Sequence, residues 1–82
     1  MTISIKILYF GRLADVVGLR QAELDLADGD ALLETVRQQI VSTHPALDDP
    51  TIRIAVNHTL ANDNLTINDG DELAFFPPVS GG

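Results

Sequence analysis

The chain contains no cysteine and only two histidines, His44 and His58. Without thiols there are no disulfide staples, no thiolate metal ligands and no cysteine nucleophile, and nothing points to an oxidising compartment. Positive charge is nearly as scarce. Lys6, Arg12, Arg20, Arg37 and Arg53 stand against twelve acidic residues, for a formal net charge of −7. Such a chain lacks the basic footprint that phosphate contacts require, which argues against nucleic acid as a partner. Its acidity fits either of two readings, solubility alone or attraction to a basic partner surface. No apolar run approaches the roughly 20 residues of a membrane span. The opening, Met1-Thr2-Ile3-Ser4-Ile5-Lys6, lacks the basic and apolar regions of a secretory signal. The expectation is a cytoplasmic protein with no membrane contact.

What is present is enough for one small folded unit. At 82 residues there is room for a single domain with a thin core. A hydrophobic content of 45% against 21% charged residues indicates a folded chain.

Apolar residues recur with two periods. Residues 3–10 alternate, with Ile3, Ile5, Ile7 and Tyr9 on one face and Ser4, Lys6, Leu8 and Phe10 on the other, which predicts a strand. Between Gly11 and Gly18, the spacing of Leu13, Val16 and Val17 predicts a short helical turn. Residues 20–26 alternate again, with Ala22, Leu24 and Leu26 inward. Asp28-Gly29-Asp30 reads as a turn with Asp30 as a helix N-cap. A helix is expected from about Ala31 to Ser42, with Leu32, Leu33, Val36 and Ile40 as its buried stripe and Glu34 near its positive end. Pro45 stops it, and a loop runs on to Thr51. Ile52-Arg53-Ile54-Ala55-Val56 predicts a third strand. Asn57-His58-Thr59 is a polar turn, and a short strand or irregular piece follows around Leu60 to Asp63. Leu65 and Ile67 are spaced as anchors beneath a loop, and Asn68-Asp69-Gly70-Asp71 is a turn. Glu72 to Phe76 is the last strand, stopped by Pro77-Pro78. This order predicts an α+β fold, with a mixed four- to five-stranded sheet packed on one main helix.

Few residues could perform chemistry within such a domain. His44 and His58 lie in polar turns without an apparent acid or nucleophile partner. Asp69-Gly70-Asp71 lacks further oxygen ligands at cation-loop spacing and reads as a turn. Gly11 and Gly18 do not form a phosphate-binding motif. No metal site is expected. Two features remain. The chain ends Pro77-Pro78-Val79-Ser80-Gly81-Gly82. Two glycines make an unbranched thread that can enter a channel where a Cβ would clash, with an activatable α-carboxylate at the tip. A frayed end is the alternative. If Leu73 and Phe75 point inward, Phe76 points outward. Phe10 does the same on the first strand, so parallel pairing of the two strands would bring both aromatics beside the tail. An exposed aromatic pair suggests a partner surface, unless a loop covers it.

The final fourteen residues, from Asp69-Gly70-Asp71-Glu72 through Phe75-Phe76-Pro77-Pro78 to Gly81-Gly82, closely resemble the ending of the sulfur-carrying small subunits of molybdopterin synthases. Ala55-Val56-Asn57-His58-Thr59-Leu60 resembles the "AVNxxL" segment of that family. Ile7-Leu8-Tyr9-Phe10-Gly11, with Gly18 downstream, resembles its first strand and short helix. One departure is Ala14, where the family often has an arginine; Arg12 is the basic residue nearby. The resemblance implies a ubiquitin-like β-grasp domain over residues 1–77 and a flexible tail over residues 78–82 that enters partner active sites. It also implies that a ubiquitin-activating-like adenylyltransferase adenylates Gly82 with ATP. Sulfur from a persulfide then makes a Gly82 thiocarboxylate, which donates sulfur to cyclic pyranopterin monophosphate in the large subunit. Pro78, Val79, Ser80 and Gly81 would form the inserted thread, and Phe10, Leu60 and Phe76 the interface. The chain itself would bind no cofactor, and two large plus two small subunits would assemble. Other β-grasp sulfur carriers, serving thiamine or cysteine synthesis or tRNA thiolation, also end in Gly-Gly. So does a protein modifier joined to target lysines, and a binding-only domain with an inert tail is a further alternative.

Overall fold

The alternation of residues 3–10 becomes the central feature of the sheet. The computed structural model describes residues 2–27, 31–61 and 63–77. The elements are β1 (Thr2–Tyr9), α1 (Arg12–Val17), β2 (Gln21–Ala27), α2 (Leu33–Thr43), a 3-10 turn (Pro45–Leu47), β3 (Arg53–Val56), β4 (Thr59–Leu60) and β5 (Glu72–Phe76). They form a five-stranded sheet in the order β2-β1-β5-β3-β4. β1 runs antiparallel to β2 and parallel to β5, and β3 is antiparallel to both β5 and β4. A mixed sheet holding one main helix, with the first and last strands parallel at its centre, is the ubiquitin-like β-grasp architecture.

Strand alternation sorts the side chains by face. Ile3, Ile5, Ile7 and Tyr9 of β1 and Leu73 and Phe75 of β5 are buried, and they share one core with Leu33, Val36 and Ile40 of α2. Fully burying a side chain of this size contributes about 1.5–3 kcal/mol relative to leaving it exposed. Ile54 and Val56 of β3 are half-buried beside them, as are Ala22 and Leu24 of β2.

Several expectations change at the helices. α2 begins at Leu33 instead of Ala31, and Leu32 is 43% exposed instead of part of the buried stripe. Its N-cap position is Leu32, in extended backbone without a side-chain cap; the turn Asp28-Gly29-Asp30 lies outside the described residues. The first amides of α2 are satisfied from elsewhere. Leu33 N–H donates to the Leu65 carbonyl at 2.8 Å, and Glu34 N–H donates to Asn64 Oδ1 at 2.8 Å. The Ile67 N–H donates to the Ala31 carbonyl at 2.6 Å, so residues 64–67 run alongside the helix start. Ile67 is anchored in the core as expected, but Leu65 is 40% exposed because its backbone faces the helix. In α1, Leu13 is buried whereas Val16 is exposed, since one short turn presents only one side to the sheet. The stretch read as a plain loop after Pro45 is a 3-10 turn that buries Leu47.

Candidate functional site

The parallel register of β1 and β5 sets Leu8 opposite Ala74 and Tyr9 opposite Phe75. The two faces of the sheet therefore receive two aromatic pairs. On the core face, the Tyr9 and Phe75 rings are tilted at 35° with centroids 5.8 Å apart. On the outer face, Phe10 and Phe76 are stacked, centroids 4.7 Å apart and planes within 6°. Offset-stacked pairs contribute about 0.5–1.5 kcal/mol beyond their buried area. Even so, Phe10 remains 42% exposed. Phe76 beneath it is half-buried, so of the expected exposed pair Phe10 is the open member.

Register extends this patch across the outer face. Leu8 lies opposite Ala74, Ala74 opposite Ala55, and Ala55 opposite Leu60. That row is apolar over four strands, with two small alanines as its floor and Leu60, 56% exposed, at its β4 end. The neighbouring row holds Phe10 and Phe76 and closes with Arg53, which pairs with Phe76. The three expected interface residues thus share one face. Phe10 and Phe76 touch, while Leu60 stands in the next row, two strands from β5. Ala55 and Ala74 lie buried beneath this face and Arg53 is exposed at its edge; none of the three was singled out from the sequence. The parity of residues 53 and 55 was the available signal, but it acquires meaning only once β3 is registered on β5. Phe10 and Leu60, large apolar side chains exposed on one face of a small domain, make this face the candidate partner surface.

A second cluster holds β5 in place. Asn57 and His58 both have positive φ, 51° and 72°, as a two-residue hairpin turn between β3 and β4 requires. The Asn57 side chain donates to Asp71 Oδ1 at 2.9 Å and accepts the Glu72 N–H at 3.0 Å. Its own N–H donates to the Glu72 carbonyl at 2.8 Å. Asp71 Oδ2 accepts the Asn68 N–H at 2.7 Å, and Asp69 Oδ1 accepts the Ser4 N–H at 2.7 Å. These two carboxylates thus accept backbone amides and weld the turn to β1 and to the β3–β4 hairpin. Among the described residues, no group of three His, Cys, Asp or Glu side chains is placed to hold a metal ion.

Neither histidine joins the outer patch. The His44 ring packs edge-on to Tyr9 at 6.3 Å. His58 is exposed with Nε2 3.5 Å from Glu72. Ala14 is partly buried against the core and Arg12 is exposed, so the two do not present equivalent side chains. Titration shifts fall elsewhere in the molecule. Burial pushes the Tyr9 phenol up. A hydrogen bond from Arg37 holds the Glu34 carboxyl below its ordinary value, and the Thr51 hydroxyl does the same for Asp49. No helix among the described residues is long and apolar enough to cross a membrane. Pro78, Val79, Ser80, Gly81 and Gly82 lie outside the described residues, as does the boundary expected between residues 77 and 78.

The chain as a whole resembles known proteins in family, sequence and fold. The family model described as the ThiS family matches residues 7–82. A molybdopterin synthase sulfur carrier subunit from Chlamydomonas reinhardtii is 40% identical, over 96% of this chain and 99% of that protein. The protein of the same name from Escherichia coli (strain K12) is 39% identical, over 95% and 99% respectively. Among solved structures, small archaeal modifier protein 1 from H. volcanii superposes with a TM-score of 0.80 at 30% identity, covering 94% of this chain and 99% of that one.

Proposed function

We propose that this chain, which belongs to the ThiS family, is the sulfur-carrying small subunit of a molybdopterin synthase. The observation that carries the reading is the stacked Phe10–Phe76 pair, with Phe10 exposed and Phe76 half-buried, at the strand ends next to Pro77 and the chain that leads to Gly81-Gly82. The end-to-end similarity to two sulfur carrier subunits supports the same reading.

The roles follow from chemistry. A carboxylate is a poor electrophile until it becomes an acyl adenylate. An adenylyltransferase of the ubiquitin-activating type would use ATP to activate the Gly82 carboxylate in this way. The outer sulfur of a persulfide donor would then displace AMP to give an acyl disulfide, and a thiol would cleave its S–S bond, releasing the Gly82 thiocarboxylate, a competent nucleophile, and leaving a disulfide on the donor. Gly81 and Gly82 carry no side chain to obstruct a narrow active site. Pro78, Val79 and Ser80 would complete the inserted thread, and the fixed φ of Pro77 and Pro78 limits the conformational freedom lost on insertion. Phe10, Leu60 and Phe76 would dock on the large subunit, which would supply the pocket where cyclic pyranopterin monophosphate becomes the dithiolene of molybdopterin. Two large and two small subunits would form the complete enzyme.

The test is the intact mass of the protein after incubation with ATP, a sulfur donor and a matched activating enzyme. A species heavier by one sulfur-for-oxygen exchange, located at Gly82, is expected. A mass fixed at the plain carboxylate would sink the carrier reading. The likeness to an archaeal modifier protein favours a second reading, in which Gly82 is joined to lysines of other proteins. Peptides linked through Gly82, recovered from cellular digests, would be its signature.

A further inference from the structure

β1 and β5 end together, and their last contact is between backbone and ring. Gly11 adopts φ 57° and ψ −138°, a region that residues with a Cβ rarely enter. A Cβ placed there would stand 3.0 Å from Pro77 Cγ and 3.6 Å from its Cδ. The space a side chain would fill is taken by the proline ring.

The hydrogen bonds explain why the chains part at this point. The Phe10 N–H donates to the Phe75 carbonyl at 3.0 Å, the last rung of the parallel ladder. The next rung would run from the amide of residue 77 to the Phe10 carbonyl. Proline has no N–H, so that rung cannot form. The Phe10 carbonyl accepts the Leu13 N–H at 3.1 Å instead, and the Gly11 carbonyl accepts that of Ala14 at 3.2 Å. β1 thus turns into α1, while Pro77 rests against the turning backbone.

We infer that Gly11 is a positioning residue for sulfur transfer: by admitting the Pro77 ring against its backbone, it sets the direction in which the chain leaves the domain towards Gly82. The inference rests on the carrier reading and assigns Gly11 a role separate from the docking patch. Phe10 and Phe76 each sit one residue earlier and stack on each other on the outer face, where the carrier reading puts the large subunit. Gly11 faces Pro77, so binding and aim are separable.

The experiment compares wild-type protein with Gly11→Ala, each carrying a chemically installed Gly82 thiocarboxylate. The measurements are affinity for the large subunit and the single-turnover rate of sulfur transfer. The expected result is a dissociation constant within about twofold of wild type and a transfer rate lower by about tenfold or more, because misplacement by about 1 Å is enough to slow a reaction severely. Pro77→Gly removes the ring without adding bulk and serves if Gly11→Ala fails to fold; freeing φ at residue 77 also weakens binding, so the expected result there is a loss of transfer rate at saturating large subunit that exceeds the loss of affinity. Unchanged transfer in a folded variant of either kind overturns the inference. So does a weakened affinity that accounts for all of the lost rate. If wild-type thiocarboxylate itself transfers no sulfur, the carrier reading fails first and the inference falls with it.

Discussion

Asn64 Oδ1 accepts the Glu34 N–H at 2.8 Å, so the start of α2 is capped by a residue thirty positions downstream. The helix carries no cap of its own at Leu32, and the loop before β5 supplies it. Asn64→Ala should therefore destabilise the fold by about 1 kcal/mol, as loss of a local cap does. Urea denaturation checks this. A stability equal to wild type would mean that solvent satisfies the helix end equally well.

Asn57 joins the β3–β4 turn to the start of β5 through Asp71 and Glu72. Asn57→Ala loses both side-chain bonds and places a Cβ residue at positive φ, for an expected cost of about 1–3 kcal/mol. Asn57→Gly loses the same bonds but tolerates the φ, so it should be the milder change by about 0.4–1 kcal/mol. Paired thermal melts decide the order. A glycine variant weaker than the alanine variant would show that the backbone conformation is not the limiting feature.

Phe76→Ala removes one half of the outer stack. The domain should stay folded, because Phe76 lies outside the buried core. Affinity for the large subunit should weaken by about 2 kcal/mol or more, the loss expected of a central aromatic anchor. A calorimetric titration with no change would place the interface elsewhere.

The pH response should differ in sign at its two ends. Burial raises the Tyr9 phenol above its unfolded value, which is about 10. Its contribution is therefore full below that pH and is lost as pH rises through the folded value. Tyr9→Phe should retain stability above about pH 10, where wild type loses it. Glu34 and Asp49 are held below their ordinary values by Arg37 and Thr51. Their contributions are present above the unfolded values, near 4, and are lost as pH falls through the folded ones. Both groups are exposed, so Glu34→Gln should flatten the acid limb only slightly. Denaturation midpoints across the pH range report both limbs.

Local patterns foretold the elements whose burial repeats at short range. The alternation in β1 and β5 identified their core faces, and turned Phe10 and Phe76 outward before their contact was known. Leu32 and Leu65 misled for the same reason. Each is apolar and sits at a suitable spacing, but the backbone bonds joining residues 31–33 to residues 65–67 leave both side chains exposed.

By itself, the sequence determined the type and order of the main strands and helix, the apolar period of each strand and the Gly-Gly ending, because these depend on residue identity and near neighbours. Tertiary structure alone decided which strands meet. The register of β5 between β1 and β3 stacked Phe10 on Phe76, placed Arg53 beside them and joined Leu8, Ala74, Ala55 and Leu60 in one row. Seating Pro77 on Gly11 and capping α2 with Asn64 belong to the same level. Each of these relationships links residues far apart in the chain. Pairing forces set them only when the strands assemble, so no window along the sequence contains them.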